Sequence, residues 1–441
     1  MPVIQAGLES IRNQGHELLA AVFVGGTEKV INGSDLGFLK LPIILNSDPS
    51  LGIKQALEEY KPDLIIDLSD EPVVGYKERF KFASIALIAG VSYVGSDFRF
   101  DPPRFYDVAQ KPSISVIGTG KRVGKTAISA HFARVLSKAG FSPCVVAMGR
   151  GGPQEPEVVH GENIEMTPEF LLEVSQKGKH AASDHYEDAL MSRILTVGCR
   201  RCGGGMAGAP FISNVLAGAE LANELESDII IFEGSGAALP PIKTDSCLVT
   251  IGAHQPIDYI SGYFGTFRLY LSDLAVLTMC EEPMASEEKI NLVDQAVRCE
   301  NPDLKVVHTR FRPHPLKSIE GKGVFLTTTA TSSMNESLKN YLEREFHCRV
   351  VGISNNLSNR ELLRKDMLKH KGKFTTLLTE LKAASVDVVT SMGLSFGAEV
   401  IYADNVPITV GGDGDLNDLS LELAHKAVDN FKRRRGRISH G

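Results

Sequence analysis

The sequence predicts an α/β protein in which a mostly parallel sheet carries helices on both faces. Short apolar runs alternate with amphipathic stretches along the 441 residues, a pattern typical of parallel strands joined by helices. A glycine-rich loop separates an apolar run from a helical stretch within residues 112–139, and a later apolar run ends in the acid Glu233. The length of the chain predicts two or three domains.

Residues 1–108 are predicted to form a small N-terminal α/β, Rossmann-like domain. It opens with helical spacing over residues 1–20 and closes with a proline-rich linker at 100–104. Between these limits the predicted strands are 20–26, 41–45, 63–68 and 91–95, and the predicted helices are 53–60 and 77–89.

Two further parts are predicted after this domain. Residues 109–300 are assigned to a nucleotide-binding domain, and residues 301–441 to a C-terminal α/β portion that can complete the same sheet. The stretch 405–414 is turn-rich and could border a pocket. The predicted strands of the C-terminal portion are 305–309, 323–328, 349–353, 386–390 and 399–403.

The loop Gly118-Thr-Gly-Lys-Arg-Val-Gly-Lys-Thr126 lies between a predicted strand and a predicted helix. Glycines let successive backbone N–H groups surround a phosphate, and the following helix directs its positive end at it. Lys125 is then placed to reach the outer phosphates of ATP, and Thr126 to contact Mg²⁺. The frame of strand, loop and helix predicts a P-loop NTPase-type fold. The predicted nucleotide-binding residues are Gly118, Thr119, Gly120, Val123, Gly124, Lys125 and Thr126.

The loop is a variant of the usual pattern. That pattern has glycine where this chain has Thr119, whereas Gly118 comes one residue early and Gly120 one late. The surrounding strand and helix, rather than the tripeptide Gly-Lys-Thr alone, therefore carry the assignment.

Glu233 ends a continuous apolar run and is followed by Gly234-Ser-Gly236. A carboxylate at such a strand tip can hold Mg²⁺, directly or through water, beside a phosphate loop. Arg150, Glu155 and Glu157 follow another predicted strand, 144–148, so Arg150 is a candidate for substrate binding and one of the two glutamates, with Glu155 preferred, for metal binding. An exposed polar turn is the alternative for these residues. The predicted metal ligands are Thr126, Glu233 and Glu155.

The loop resembles that of dethiobiotin synthetase and its relatives, which also begin Gly-Thr and end Val-Gly-Lys-Thr at the same offset. Those enzymes carry a Glu-Gly-small-Gly element similar to Glu233–Gly236. The resemblance covers about residues 112–280. It implies that Glu233 helps to hold Mg²⁺, and that ATP phosphorylates an acid group before a nearby nucleophile displaces phosphate.

Five stretches of the chain, 23–29, 118–126, 149–153, 198–208 and 233–236, carry a second resemblance over a longer span. In these stretches the sequence resembles the archaeal cyclic 2,3-diphosphoglycerate synthetase family. The resemblance implies ATP- and Mg²⁺-dependent closure of a phosphoanhydride between the two phosphates of 2,3-diphosphoglycerate, with release of ADP and phosphate. It also implies a homodimer. Members of the family begin with a strand before the opening helix, and we expect that strand to be absent here.

A substrate with two phosphates and a carboxylate, bound beside ATP, requires several converging arginines and lysines. Lys121 and Arg122 lie inside the loop and are predicted, with Lys125 and Glu233, to be catalytic, because they can offset charge on the transferred phosphoryl group. A glycine-rich segment at 198–208 is predicted to be a mobile lid over the substrate. The predicted substrate-binding residues are Arg150, Arg200, Arg201, Lys243, Arg310 and Arg312.

Composition argues against several partners. The formal net charge of −7 provides no basic field for nucleic acid, and no apolar run is long enough to span a bilayer, so we expect neither a nucleic-acid nor a membrane partner. Seven scattered cysteines do not resemble a secreted disulfide framework, which predicts a cytoplasmic protein. Cys199 and Cys202 have the spacing of half a zinc site or of a redox pair, but no second pair accompanies them.

Two other function classes share these features. Another ATP-dependent small-acid ligase or kinase would need the same loop and the same acid at 233. A non-catalytic ATP switch, similar to the partitioning and division-site ATPases, would carry an additional lysine where this chain has Gly120, although Lys121 is adjacent.

Overall fold

The computed structural model describes residues 2–25, 39–165, 167–179 and 181–438. Residues 26–29, part of one stretch that carries the family resemblance, lie outside the described residues. The chain divides into two compact units. The first unit comprises Met1–Arg104, Pro256–Leu271 and Ala296–Pro302, and the second comprises Phe105–Gln255, Ser272–Gln295 and Asp303–Gly441.

Strands and helices alternate along the chain. The strands are β1 (Ala21–Phe23), β2 (Ile43–Leu45), β3 (Leu64–Ile66), β4 (Ser92–Val94), β5 (Arg99–Phe100), β6 (Ser113–Gly118), β7 (Pro143–Gly149), β8 (Glu157–His160), β9 (Leu195–Cys202), β10 (Ile212–Ser213), β11 (Ile229–Glu233), β12 (Ser246–Gly252), β13 (Leu274–Thr278), β14 (Lys305–Pro315), β15 (Gly323–Thr327), β16 (Arg349–Ser354), β17 (Thr376–Glu380) and β18 (Glu399–Gly412). The helices are α1 (Pro2–Asn13), α2 (Pro49–Tyr60), α3 (Tyr76–Ile88), α4 (Lys125–Lys138), α5 (Pro168–Gln176), α6 (Asp184–Ser192), α7 (Val215–Glu224), α8 (Asp258–Ser261), α9 (Gly265–Leu271), α10 (Glu287–Glu300), α11 (Asn335–Phe346), α12 (Arg360–Lys369), α13 (Ser391–Phe396) and α14 (Leu416–Ile438).

The first unit is built on two small sheets. In one, β1 pairs with β2 in parallel, and in the other β3 pairs in parallel with β4, which pairs antiparallel with β5. Asp67, directly after β3, accepts hydrogen bonds from the Tyr93 hydroxyl at 2.8 Å and from Arg79 Nε at 3.1 Å. Phe80 of α3 packs edge-on against Phe264 with ring centroids 5.0 Å apart. The N-terminal part of the chain is therefore α/β, as predicted.

The second unit contains one large sheet formed by thirteen strands of the described residues. The strand order is β10-β9-β7-β11-β6-β12-β13-β14-β18-β17-β15-β16, and β8 pairs separately with β9. Only β10 on β9, β8 on β9 and β14 on β18 are antiparallel within this described sheet. The predicted mostly parallel sheet is thus confirmed. The parallel strands β6, β7, β9, β11, β12 and β13 end at a common edge, called here the carboxyl edge, whereas β15–β18 run in the opposite direction.

Helices cover both faces of this sheet. Val145 and Ala147 of β7 belong to a buried cluster with apolar residues of α4 and α14, whereas Cys144 and Val146 belong to a cluster with α7. Because side chains alternate along a strand, a strand buried at every position must be covered on both sides. β6, β7 and β11 are buried along their entire length.

Among the residues of the model that are described, no helix is both long enough and apolar enough to cross a membrane.

Two predictions in the C-terminal portion are wrong. Residues 386–390, predicted as a strand, form a π-helical turn that leads into α13, and β17 supplies the strand instead. Val386, Val388 and Val389 are all buried, and a short apolar run of this kind has no periodicity that distinguishes helix from strand. The stretch 405–414, predicted as turns, mostly continues β18, because antiparallel pairing with β14 holds it extended as far as Gly412.

His185 predicts an acid-sensitive stability. The imidazole is buried beneath Gly198 and against Tyr186, and burial lowers the pKa of His185 to about 4. An unfolded histidine has a pKa near 6.5, so between these values the unfolded chain binds the extra proton and stability falls as the pH falls. We expect His185 to contribute a loss of about 2 kcal/mol between pH 7 and pH 5.

Urea unfolding at pH 7 and pH 5 measures this effect. His185→Gln should show a smaller drop in unfolding free energy between the two pH values than the parent. The exposed His160 provides the matched control, since His160→Gln should leave the drop unchanged. An equal drop in the parent and in His185→Gln would contradict the prediction.

Candidate active site

The glycine-rich loop joins β6 to α4 at the carboxyl edge. Gly124, the residue before α4, has a φ of 78°, a conformation that glycine adopts without the strain of a side chain. A Cβ placed on Gly124 would lie 2.4 Å from Phe311 Cζ, so β14 also requires glycine here. The free N–H groups at the start of α4 therefore follow directly on the loop, the geometry of a phosphate-binding site.

Three hydrogen bonds fix the loop to the neighbouring strands. The Thr119 N–H donates to Thr250 O at 3.1 Å, and the Thr119 hydroxyl donates to Gln255 Oε1 at 2.5 Å. The Thr278 hydroxyl donates to Val123 O at 2.8 Å. Sequence reasoning missed Gln255 and Thr278, because nothing in a polar residue at a strand end indicates which loop it will contact.

The three basic residues of the loop differ in exposure. Lys125, the first residue of α4, is only 9% exposed, whereas Lys121 and Arg122 are exposed. Arg122 has a φ of 60°, and a Cβ on Gly236 would lie 3.2 Å from Lys121 Cγ. Lys121 thus lies beside the segment that follows Glu233, and all three predicted cations are at the carboxyl edge.

Glu233 ends β11, the strand next to β6, and meets the loop directly. The Thr126 hydroxyl donates to Glu233 Oε1 at 2.8 Å, so the two predicted Mg²⁺ ligands are together. Glu233 is 2% exposed, and burial raises the pKa of its carboxyl above the ordinary value although Lys125 opposes the shift. Its Oε2 has no hydrogen-bond donor among the described residues.

Helix α6 adds acids that the sequence did not single out. The Asp188 carboxyl contacts Glu233, and burial together with the Glu233 charge raises the pKa of Asp188 well above its ordinary value. A Cβ on Gly149 would lie 3.1 Å from Asp184 Oδ2, which puts Asp184 at the end of β7. Glu187 pairs with Lys382 at 2.9 Å through both carboxylate oxygens. In the sequence, the acids of Asp184–Asp188 have the pattern of a solvated helix face. Only their packing at the carboxyl edge of the sheet indicates that they belong to the site.

The lid prediction for the glycine-rich segment is wrong for its arginines. Arg200 and Arg201 lie in β9, where pairing with β7 and β10 holds them, and the glycine run begins only afterwards. Arg201 is 5% exposed and donates to Ser235 O at 2.7 Å and to Gly203 O at 2.9 Å. Burial and the nearby positive charge of Arg150 lower the pKa of Arg201. Arg201 is therefore a fixed cation beside the segment that follows Glu233.

Arg200 and Arg150 are exposed at the same edge. Arg200 Nε donates to Gly152 O at 2.8 Å, in the turn that follows β7, and Arg150 lies in that turn. The structure thus brings together the turn after β7 and the end of β9. Thr126 and Glu233 meet directly, whereas Glu155 is exposed in the turn before β8, so its role as a metal ligand stays a prediction.

Arg310 and Arg312 lie inside β14 rather than after a strand, which corrects the predicted end of that strand. Arg312 forms a bidentate pair with Glu281, with N–O distances of 2.5 and 2.6 Å. Arg310 Nη1 is 4.0 Å from the same carboxylate. Phe311 between them borders the loop at Gly124. Both arginines are therefore near the loop, but Arg312 is already neutralised by a carboxylate.

Lys243 is not brought to the carboxyl edge. It precedes β12, its backbone N–H donates to Tyr106 O, and its amine is 3.9 Å from Asp107. Asp245, two residues later, accepts a bond from the N–H of Ser113, the first residue of β6. Lys243 therefore lies at the opposite, amino-terminal edge of the sheet, where a substrate held by the loop is out of reach.

Cys199 and Cys202 do not form a joint site. Both thiols are free, Cys199 is buried and Cys202 is exposed. Residues three apart in a strand point to opposite faces, so β9 separates them. Among the described residues, no three Asp, Glu, His or Cys side chains could together hold a metal ion.

A glycine-rich loop before a helix, a lysine at the start of that helix and a buried acid on the adjacent strand define a P-loop nucleotide-binding protein of the NTPase type. The family models extend along the chain and are more specific. The cyclic 2,3-diphosphoglycerate synthetase P-loop domain matches residues 113–310, the C-terminal domain of the same family matches 315–406, and its N-terminal domain matches 1–101. The chain belongs to the cyclic 2,3-diphosphoglycerate synthetase family, which confirms the predicted resemblance.

Similar proteins agree with this assignment. A cyclic 2,3-diphosphoglycerate synthetase of Methanothermus fervidus is 51% identical over 98% of this chain and 96% of its own length. That of Methanothermobacter thermautotrophicus is 49% identical over 99% and 96%. Among solved structures, LpxK from Aquifex aeolicus is 12% identical, with 74% of this chain and 90% of that chain covered and a TM-score of 0.43, too low to bear on function.

Proposed function

We propose that this protein is an ATP-dependent ligase that closes the intramolecular phosphoanhydride of 2,3-diphosphoglycerate, giving cyclic 2,3-diphosphoglycerate, ADP and phosphate. The observation that carries the proposal is the match of three domains of one synthetase family along the chain. Relatives of that name are about half identical over nearly their whole length. The loop before α4 supports the use of a nucleoside triphosphate.

The reaction divides into two phosphoryl-group displacements. An oxygen of one substrate phosphate attacks the γ-phosphorus of ATP, the bond to ADP breaks, and a pyrophosphoryl group forms on the substrate. An oxygen of the other phosphate then attacks the inner phosphorus, the bond from the inner phosphorus to the bridging oxygen breaks, and the outer phosphoryl group leaves with that oxygen as orthophosphate while the ring closes. Such steps depend on positioning and on charge neutralisation more than on covalent help from the protein.

Mg²⁺ is proposed to be held by Thr126 and Glu233. The fit rests on the Glu233 carboxylate, whose Oε2 is buried with no hydrogen-bond donor among the residues described. Hydroxyl and carboxylate oxygens are the ligands that Mg²⁺ prefers, with phosphates and water completing its shell. When bound, the ion neutralises negative charge on the ATP phosphates.

The basic residues are proposed to divide between the two reactants. Lys125 contacts the outer phosphates of ATP, while Lys121 and Arg122 reach over the phosphoryl group in transfer. Arg150 and Arg201 bind substrate phosphate. The guanidinium groups of Arg150 and Arg201 are near enough to interact electrostatically, and Arg201 donates to Ser235, just after β11. Two such cations at one place favour the binding of an anion between them.

³¹P NMR of the purified protein with ATP, Mg²⁺ and 2,3-diphosphoglycerate tests the function. Ring closure should produce new upfield pyrophosphate-type signals together with ADP and orthophosphate. ADP and orthophosphate without those signals would contradict ring closure and indicate uncoupled hydrolysis. Turnover only with another small acid would favour a different ligase or kinase, and nucleotide binding without turnover would favour an ATP switch.

Three further features are proposed from the family. The chain is proposed to divide at about residues 108 and 300, and family models that match 1–101, 113–310 and 315–406 support this proposal. It acts as a homodimer in the cytoplasm, without a nucleic-acid or membrane partner. Light scattering tests the dimer, which has twice the 47.8 kDa mass of one chain.

A further inference from the structure

We propose that Asp188 is a second protein ligand of the divalent cation, acting together with Glu233. This inference rests on the proposed ATP- and Mg²⁺-dependent function and identifies a residue of that same site. Asp188 lies on α6 and is 0% exposed, and its carboxyl contacts that of Glu233. A buried carboxyl group in this position needs a partner.

In the part of the chain that is described, no N–H or hydroxyl group supplies that partner. Neither carboxylate oxygen of Asp188 accepts a hydrogen bond, and neither does Oε2 of Glu233. Buried polar groups are nearly always paired, and two carboxyl groups in contact in a dry site are stable only when a proton or a cation lies between them. The three oxygens without donors therefore indicate a ligand that is positive and small.

The chemistry of the donor set fits a hard divalent cation. Thr126 occupies Oε1 of Glu233, which leaves the other Glu233 oxygen and the Asp188 carboxylate facing the same space. A hydroxyl and two carboxylates are all oxygen donors, as Mg²⁺ and Mn²⁺ prefer, and the phosphates of ATP can complete the shell.

An ion pair holds α6 in the orientation that this requires. Glu187, next to Asp188, is bound by Lys382 through both carboxylate oxygens at 2.9 Å. Lys382 follows β17, so the C-terminal portion of the chain helps to position the helix. Because Lys382 neutralises Glu187, that acid does not compete with Asp188 for the cation.

Mn²⁺ binding measured by electron paramagnetic resonance, with a non-hydrolysable ATP analogue present, tests the proposal. Asp188→Asn should weaken Mn²⁺ binding by 10-fold or more, while metal-free binding of the analogue stays unchanged. Asp429→Asn, on the exposed face of α14, is the matched control and should bind Mn²⁺ as the parent does. The proposal would be overturned if Asp188→Asn bound Mn²⁺ as tightly as the parent while Glu233→Gln lost Mn²⁺ binding. The contact between the Asp188 and Glu233 carboxyl groups would then be explained by a shared proton.

A second measurement uses the unaltered protein, in case Asp188→Asn does not fold. Fe²⁺ bound in place of Mg²⁺, with ascorbate and peroxide, cuts the backbone close to its ligands. Cleavage near Thr126, Glu233 and Asp188 is expected, and cleavage near the first two alone would overturn the role of Asp188. A parent protein that binds neither the ATP analogue nor Mn²⁺ would instead contradict the proposed function.

Discussion

Lys125→Ala is expected to reduce turnover by roughly 10³-fold or more while the protein stays folded. The amine of Lys125 is proposed to neutralise charge on the outer phosphates of ATP, and alanine offers no substitute. The side chain is only 9% exposed, yet its amine forms no ion pair or hydrogen bond with any residue that the structure describes. Alanine is also an excellent helix former at the start of α4. ³¹P NMR rates and thermal unfolding measure the two quantities separately.

Lys138→Ala provides the matched control, because Lys138 is an exposed residue at the other end of the same helix. It should keep full activity, with at most a small loss of stability from the lost favourable charge at the helix end. Retained turnover in Lys125→Ala would overturn the phosphate-loop assignment.

Glu233→Gln is expected to lower turnover by about 10²- to 10³-fold through loss of Mg²⁺. Glutamine keeps the size of the side chain and one oxygen for the Thr126 hydroxyl, but it lacks the charge that a divalent cation needs. Stability should stay equal or rise, because neutralising one of two facing carboxyl groups removes repulsion with Asp188. The measurements are the rate as a function of Mg²⁺ concentration and the free energy of unfolding without metal.

Glu226→Gln is the control for this substitution, since Glu226 is exposed just before the same strand β11 and remote from the carboxyl edge. Its rate should match that of the parent at every Mg²⁺ concentration. If Glu233→Gln also keeps the parental Mg²⁺ dependence, Glu233 does not hold the ion.

The sequence alone allowed the fold class and the family to be predicted. A glycine-rich loop binds phosphate only where a strand precedes it and a helix follows. The loop and its flanking segments therefore predict the same local fold. The mostly parallel sheet followed from apolar runs that alternate with helices. The family assignment followed from several such stretches in order, and the family models confirm it.

Other features depended on contacts that local pattern does not contain. The valines at 386, 388 and 389 are all buried, so this short run fits a helix as well as a strand. Arg201 reads as part of a flexible glycine segment, but sheet pairing and hydrogen bonds to Ser235 and Gly203 fix it. Lys243 follows the Glu233 element closely in sequence, yet the chain returns to the opposite edge of the sheet before β12 begins.

The sequence by itself determined that the loop, Lys125 and Glu233 belong to the candidate site. Each of them is recognised from a local pattern of backbone conformation and side-chain chemistry. Only the tertiary structure decided what faces Glu233. Asp188 lies 45 residues before Glu233 in the sequence, on a helix held by Lys382 nearly 200 residues later. Asp188 is identified as a candidate ligand because it is buried and has no hydrogen-bond donor among the described residues. Both properties result from tertiary packing, so a local stretch of sequence cannot predict them.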